Sequence, residues 1–238
     1  MRSMIIDKIV QTNPGKDLMF LQNNGRVYSF LNPVSYLDAI EHKELFAKLD
    51  GVFADGSLLV AAILLLYGRK VIRRSFDMTS VAPKLFDCAC RENKSIYIVA
   101  STSEAVEKAV GIIREHYQGI NICGFRNGYF SDESEERNTI KDIVKMNSDF
   151  LIIGMGAIRQ EEFLVRVKNA GYQGTGFTCG GFIHQLAMNE INYYPKWIDK
   201  YNLRFLYRMY KEPHTRMRYL KAGIIFPLRF VWERLTGK

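Results

Sequence analysis

Short apolar runs that alternate with amphipathic segments constrain this chain more than any other feature of it. Residues 51–56 (an apolar run closing in Asp-Gly), 95–100 and 150–156 are 6 to 7 residues long and rich in Val, Ile, Leu and Phe, and 175–178 reads as a last, shorter strand. Runs of that length, apolar at successive positions, suit strands buried on both faces. The segments between them have helical period, with 101–117, 133–147 and 161–170 as the clearest helices. In the first of these, Glu104 follows Ser101 by three residues, as in a capping box. Residues 121–123 add a further strand. Strand–helix alternation predicts an α/β fold: a Rossmann-like, mostly parallel sheet with helices on both faces. Ahead of it, residues 4–10 and 26–31 read as extended, with turns at Asn13-Pro14-Gly15 and Asn23-Asn24-Gly25. A helix over 34–48 follows, with Pro33 in its first turn and Asn32 as its cap.

A chain of 238 residues, 47% hydrophobic and 24% charged, can bury a sizeable core without staples. Cys88, Cys90, Cys123 and Cys179 are scattered, and Cys88-Ala89-Cys90 is too tight for a normal zinc or redox pair. They read as reduced, small apolar residues of a cytoplasmic protein. The most apolar stretches, 58–67 and 222–232, fall short of the roughly 20 residues that cross a bilayer. The N-terminal residues carry no signal-peptide pattern, so the expected location is intracellular.

The net charge of +8 is unevenly placed. Residues 1–195 hold 22 basic and 22 acidic side chains, whereas 196–238 hold 11 and 3. The division predicts an α/β core over 1–195 and a helical basic appendage over 196–238. In that tail the basic residues interleave with Trp197, Phe205, Tyr207, Tyr210, Phe226, Phe230 and Trp232. Arg204, Arg208 and Lys211 fall on one helix face. Such a pattern suits an anionic membrane surface. A solvated helix pair packed on the core is the plainer reading, and the same apolar residues suit a homo-oligomer interface. Nucleic acid is disfavoured, because no recognition motif accompanies the charge.

Polar or glycine residues stand just where a doubly wound sheet exposes them, after its strands: Asn32, Asp55, Gly154 through Glu161, and Gly180-Gly181. Each is weak alone, and Arg159 breaks the dinucleotide-binding glycine fingerprint, which argues against an oxidoreductase. In order along the chain, they resemble the bacterial WecG/TagA/CpsF glycosyltransferases. The resemblance is carried by Phe30-Leu31-Asn32-Pro33, Ala54-Asp55-Gly56, Arg73 with Asp77, and Gly124 with Gly128-Tyr129-Phe130. It continues through Gly154-Met155-Gly156-Ala157-Ile158-Arg159-Gln160-Glu161, Cys179-Gly180-Gly181-Phe182, and Leu203 to Arg208 with Glu212-Pro213, Arg216 and Arg218.

The resemblance implies an inverting, metal-independent transfer from a UDP-sugar to a sugar on a polyprenyl diphosphate, in surface or exopolysaccharide synthesis. No cofactor is expected, and the sequence has no Asp-x-Asp pair to hold a cation between phosphates. Asp55 matches the family's catalytic base, which takes the acceptor hydroxyl proton. Asn32 would contact the donor sugar or orient Asp55, and Arg73 the acceptor or a phosphate. Gln160 is favoured over Glu161 for sugar or nucleotide contact, with Glu161 as a helix cap. Gly154, Gly156, Gly180 and Gly181 would let backbone approach the diphosphate. Arg208, Arg216 and Arg218 would reach over the site from an appendage that acts as a lid. The implied location is the cytoplasmic face of the bacterial inner membrane, as a peripheral protein. The chain departs from the family at Phe30, at Val99-Ala100-Ser101-Thr102, at Ile158-Arg159 and at Tyr193-Tyr194-Pro195. The resemblance therefore fixes no donor sugar. The alternative is a non-catalytic membrane-associated scaffold for polysaccharide assembly, and intact Asp55, Asn32 and Gln160 favour the enzyme.

Overall fold

The computed structural model describes residues 3–10, 19–22, 25–189, 198, 204–211, 213 and 216–236. Its strands are β1 (Val27–Leu31), β2 (Gly51–Ala54), β3 (Ser95–Ala100), β4 (Asn121–Arg126), β5 (Phe150–Gly154) and β6 (Thr175–Thr178). They form one parallel sheet in the order β2-β1-β6-β5-β3-β4. After β2 the chain crosses to the β3–β4 pair, then returns to fill the centre with β5 and β6. Both are buried at every position, and in β5 the sequence accordingly runs apolar rather than alternating.

The helices are α1 (Met4–Lys8), α2 (Pro33–Glu41), α3 (Lys43–Ala47), α4 (Ser57–Tyr67), α5 (Val81–Arg91) and α6 (Ser103–His116). They continue as α7 (Glu133–Met146), α8 (Arg159–Asn169), α9 (Phe182–Asn189), α10 (Arg204–Lys211) and α11 (Arg216–Thr236). Helices α5, α6 and α9 share a core with one face of the sheet, built on Leu85, Phe86, Val106, Phe177 and Ile183. The opposite core joins α1, α2, α3, α4, α7, α8 and α11 through Ile5, Tyr36, Phe46, Ile63, Phe163 and Phe230. The three-layer α/β architecture is the one the sequence predicts.

Several local expectations change. Residues 4–10 are helical over Met4–Lys8 rather than extended, because Ile5, Ile6 and Ile9 must all reach one buried side. The helix over 34–48 is two helices, broken where His42 leaves the helical region (φ −122°, ψ 39°) so that Phe46 and Leu49 turn into the core. The cap of α6 is Thr102, whose Oγ1 accepts the Ala105 N–H at 3.3 Å, and not Ser101. Ser101 is committed elsewhere: its N–H donates to Gly154 O and its carbonyl accepts from Gly128 N–H. Strand β4 runs three residues beyond its expected end. Helix α5 is not among the expected helices; Pro83 stands in its first turn, where a missing N–H costs little. The expected turn at Asn13-Pro14-Gly15 lies outside the described residues, as do Asn23 and Asn24 of the second.

The described residues of the tail include the helices α10 and α11. Ala222, Phe226, Phe230 and Glu233 recur at helical spacing and are buried, while the rest of α11 is mostly exposed. Phe230 packs edge-on against Tyr36 and Tyr67, with centroids 5.1 and 5.6 Å away. The buried Glu233 carboxylate accepts from Ser3 Oγ at 2.5 Å and from Tyr36 OH at 2.8 Å, with Lys43 Nζ at 3.7 Å. One face of the tail is thus core packing, and the contact crosses the compositional boundary at 195. All four cysteines are free thiols.

Candidate active site

The carboxyl ends of β1, β2, β3, β5 and β6 open into a cavity of about 1030 Å³, large enough for a nucleotide sugar. Asn32, Asp55, Arg73, Gly154, Gly156, Gln160, Gly180, Gly181 and Arg218 all line it. Nine of the eleven residues singled out in the sequence therefore meet in one place.

Asp55 follows β2, and its N–H donates to Leu31 O at 2.8 Å, continuing the β1–β2 ladder. Its half-buried carboxylate lies 3.7 Å from Arg73 Nε. The segment carrying Arg73 is pinned from below, where Arg74 N–H donates to Ala54 O at 2.9 Å. The buried Arg74 guanidinium sits 5.0 Å from the Phe20 ring centre and 5.9 Å from that of Phe53. Anchored so, Arg74 turns its neighbour toward Asp55, and Arg73 also donates to Ser75 Oγ at 3.2 Å.

Asn32 closes β1 and caps α2. Its Oδ1 accepts from Val34 and Ser35 N–H at 2.9 and 3.1 Å, and Ser35 Oγ accepts the Asn32 N–H at 3.0 Å. The cap uses the oxygen, which leaves the Nδ2 donors as what Asn32 offers the cavity.

Gly154 is required by close approach: a Cβ there would sit 2.7 Å from both Cys179 Sγ and Gly180 O. Gly156 and Gly180 have φ of +86° and +55°, which glycine tolerates. Two residues without that freedom share the same rim. Ser101 has φ 55°, and the β-branched Ile158 has φ 70° and ψ −55°. Backbone strain gathered at one edge of a sheet is a mark of functional sites.

Beneath the glycine turns runs a buried polar network. Glu161, 2% exposed, accepts from Ser29 Oγ at 2.8 Å, Gln160 Nε2 at 2.8 Å and Ile158 N–H at 2.7 Å. Thr178 Oγ1 donates to Ser29 Oγ at 3.0 Å, and Gln160 Oε1 accepts the Gly180 N–H at 3.1 Å. Burial pushes the Glu161 carboxyl above its ordinary range, while these donors oppose the shift. Gln160 forms part of the cavity wall, but both ends of its amide hold neighbouring parts of that wall. Glu161 does more than cap: it ties β1, α8 and, through Gln160, the Gly180 turn.

The arginines of the tail divide. Arg218 borders the cavity and donates to Asp38 Oδ2 at 2.9 Å. Arg216 is not among the lining residues; its Nε donates to Met209 O at 2.8 Å and joins α11 to α10. The side chain of Arg208 lies outside the described residues. The sequence assigns no site role to Ser29, Ser101, Thr178, His184 or Lys211, of which all but Ser29 line the cavity. For Ser29 the signal was present, as a polar residue in the otherwise apolar, buried β1.

Comparison with known proteins gives this arrangement relatives. The sequence profile described as glycosyl transferase WecG/TagA/CpsF family matches residues 15–238. A Shigella boydii protein named UDP-Gal:alpha-D-GlcNAc-diphosphoundecaprenol beta-1,4-galactosyltransferase is 35% identical over 234 residues, covering 97% of each chain. A Bacillus subtilis (strain 168) protein named N-acetylglucosaminyldiphosphoundecaprenol N-acetyl-beta-D-mannosaminyltransferase is 25% identical, covering 84% of this chain and 77% of its own. A Staphylococcus aureus (strain MW2) protein of the same name is 23% identical over 77% and 69% of the two chains.

Proposed function

The chain belongs to the WecG/TagA/CpsF family and is a glycosyltransferase, and we propose that it moves a hexose from a UDP-sugar onto N-acetylglucosaminyl-diphosphopolyprenol with inversion at the anomeric carbon. The named relatives differ in the sugar they transfer, but their names share this acceptor. UDP-galactose, the donor in the Shigella boydii relative's name, is the first donor to test. The observation that carries the reading is the convergence of Asp55, Arg73, Asn32 and both glycine turns on one cavity at the carboxyl edge of the sheet.

In this mechanism the acceptor hydroxyl attacks the anomeric carbon as its proton passes to the Asp55 carboxylate. The bond from that carbon to the diphosphate oxygen breaks, and UDP leaves with the electron pair. A β product from an α-linked UDP donor requires one such displacement and no second carboxylate nucleophile. Asn32 Nδ2 orients the donor sugar beside Asp55. Negative charge developing on the leaving diphosphate is met by the N-terminal ends of α8 and α9 and by the cations at the rim, Arg218 and Lys211. No metal takes part, and Gln160 and Glu161 hold the turns rather than the sugar. The basic tail rests on an anionic membrane surface, at the cytoplasmic face where UDP-sugars are available.

The test supplies the purified protein with UDP-galactose and a synthetic N-acetylglucosaminyl-diphosphopolyprenol, and follows UDP release and the lipid-linked disaccharide. Asp55→Asn is expected to lower turnover by roughly 10²–10⁴-fold while thermal stabilisation by UDP persists. A chelator should leave the wild-type rate unchanged. Failure to form product from any UDP-hexose would overturn the reading.

A further inference from the structure

Helix α4 begins two residues after Asp55 and contains no charged residue. Only Leu59 and Ile63 are buried, whereas Leu58, Leu64 and Leu65 face outward, Leu65 being 81% exposed. A helix covering a sheet normally turns charged residues to water, and α4 turns leucines there instead. Helix α11 lies beside it and runs the same way. At one end Ala222 and Gly223 border the cavity together with Leu58. At the other, Arg234 Nε donates to Leu66 O at 2.9 Å, and Phe230 meets Tyr67. The outer side of α11 adds Ile224 and Leu228, each 70% exposed. The two helices therefore share one apolar face, which starts at the mouth of the cavity and extends about 16 Å at 1.5 Å per residue.

We infer that α4 is a second membrane-seated element: its leucine face enters the acyl layer of an anionic bilayer beside α11, and the seam between them leads the polyprenyl chain away from Asp55. The inference rests on the lipid-linked acceptor proposed above and adds an element that the basic tail does not include. Exposed Lys70 follows α4 by three residues and exposed Lys221 and Arg229 lie on α11, a composition complementary to anionic headgroups. In an isologous dimer each patch would meet its own copy, bringing like charges together, so a second chain suits it poorly. Among the described residues no helix is long and apolar enough to cross a membrane, so α4 lies along the interface. A helix seated about 5–10 Å into the headgroup–acyl boundary holds its first turn, and with it Asp55, at the level of the acceptor's diphosphate.

Flotation with vesicles of phosphatidylethanolamine and phosphatidylglycerol tests this on the full chain. Leu65→Glu, at a position too exposed to disturb folding, is expected to weaken vesicle binding roughly tenfold or more. Met146→Glu, at an exposed apolar residue ending α7, should float like wild type. With a short, water-soluble acceptor Leu65→Glu should retain wild-type turnover, and with the polyprenyl acceptor in vesicles it should lose it. Wild-type flotation of Leu65→Glu would overturn the inference. So would a variant that loses self-association in sedimentation while binding vesicles normally, because the face would then belong to a second copy. If Leu65→Glu fails to float and wild type transfers no sugar from any donor, the transferase reading fails and the membrane role of α4 stands.

Discussion

Glu161 carries a carboxylate into the one part of the core that also has to shape two glycine turns. Its donors, Ser29, Gln160 and Ile158, come from a strand, a side chain and a strained backbone. Glu161→Gln must set an amide N–H against one of them, so a loss of about 1–3 kcal/mol is expected. The pH dependence has a definite sign. Burial raises this carboxyl from its ordinary 4.5. Its contribution to stability is therefore complete below that value and is lost as pH rises through the folded-state value. Urea titrations of wild type and Glu161→Gln should show their stability gap shrinking as pH increases over that window. Gly154→Ala makes a steric test of the same wall. Its Cβ would fall 2.7 Å from Gly180 O, a backbone atom without freedom to move aside. A loss of about 1–3 kcal/mol should come with weaker UDP binding, read by calorimetry. A variant as stable as wild type would show that the turn yields.

Among the elements, α11 decides how far the tail is part of the fold. Phe230→Ala should cost about 3–5 kcal/mol, seen as a lower urea midpoint at unchanged slope. A near-neutral effect would mean that the helix only rests on the core. The amount of this architecture legible in the sequence follows from how strongly each element is specified by its own residues. Strands β3 and β6 have their expected bounds, because each lies between clear turn or helix signals, Lys94 and Ser101 for β3 and Gly174 and Gly180-Gly181 for β6. Residues 4–10 read as extended because Ile5, Ile6, Ile9 and Val10 are β-branched, and only the packing of Ile5, Ile6 and Ile9 into one core selects the helix. The cap of α6 moved by one residue because Ser101 is claimed by strand ends distant in sequence. At the site, the residues found were those whose chemistry stands out, such as Asp55 and the glycine pairs. The partners of Glu161 escaped notice, because a serine in a strand acquires meaning only once the sheet brings Thr178 beside it.

At the scale of the whole molecule, the net charge of +8 lies in the last 43 residues, where α11 also exposes Ile224 and Leu228. Binding to anionic vesicles is expected to weaken steeply as salt rises through the range where the Debye length falls from about 10 Å to 3 Å. A residual, salt-insensitive fraction should reflect the apolar face, and complete release at high salt would leave charge as the sole attachment. The contact between Ser3 and Glu233 spans 230 positions of sequence. Helix α11 emerges from synthesis after every strand of the sheet, so the nascent chain holds Tyr36 without the acceptor for its hydroxyl and without its Phe226 and Phe230 neighbours. Closing so distant a contact is among the slowest acts of folding. The same late helix supplies Arg218 to the cavity rim and the outer leucines to the apolar face. If α4 and α11 are membrane-seated as proposed, an unfinished chain lacks both its full lipid contact and the Arg218 side of the cavity rim, so attachment would follow completion of the fold.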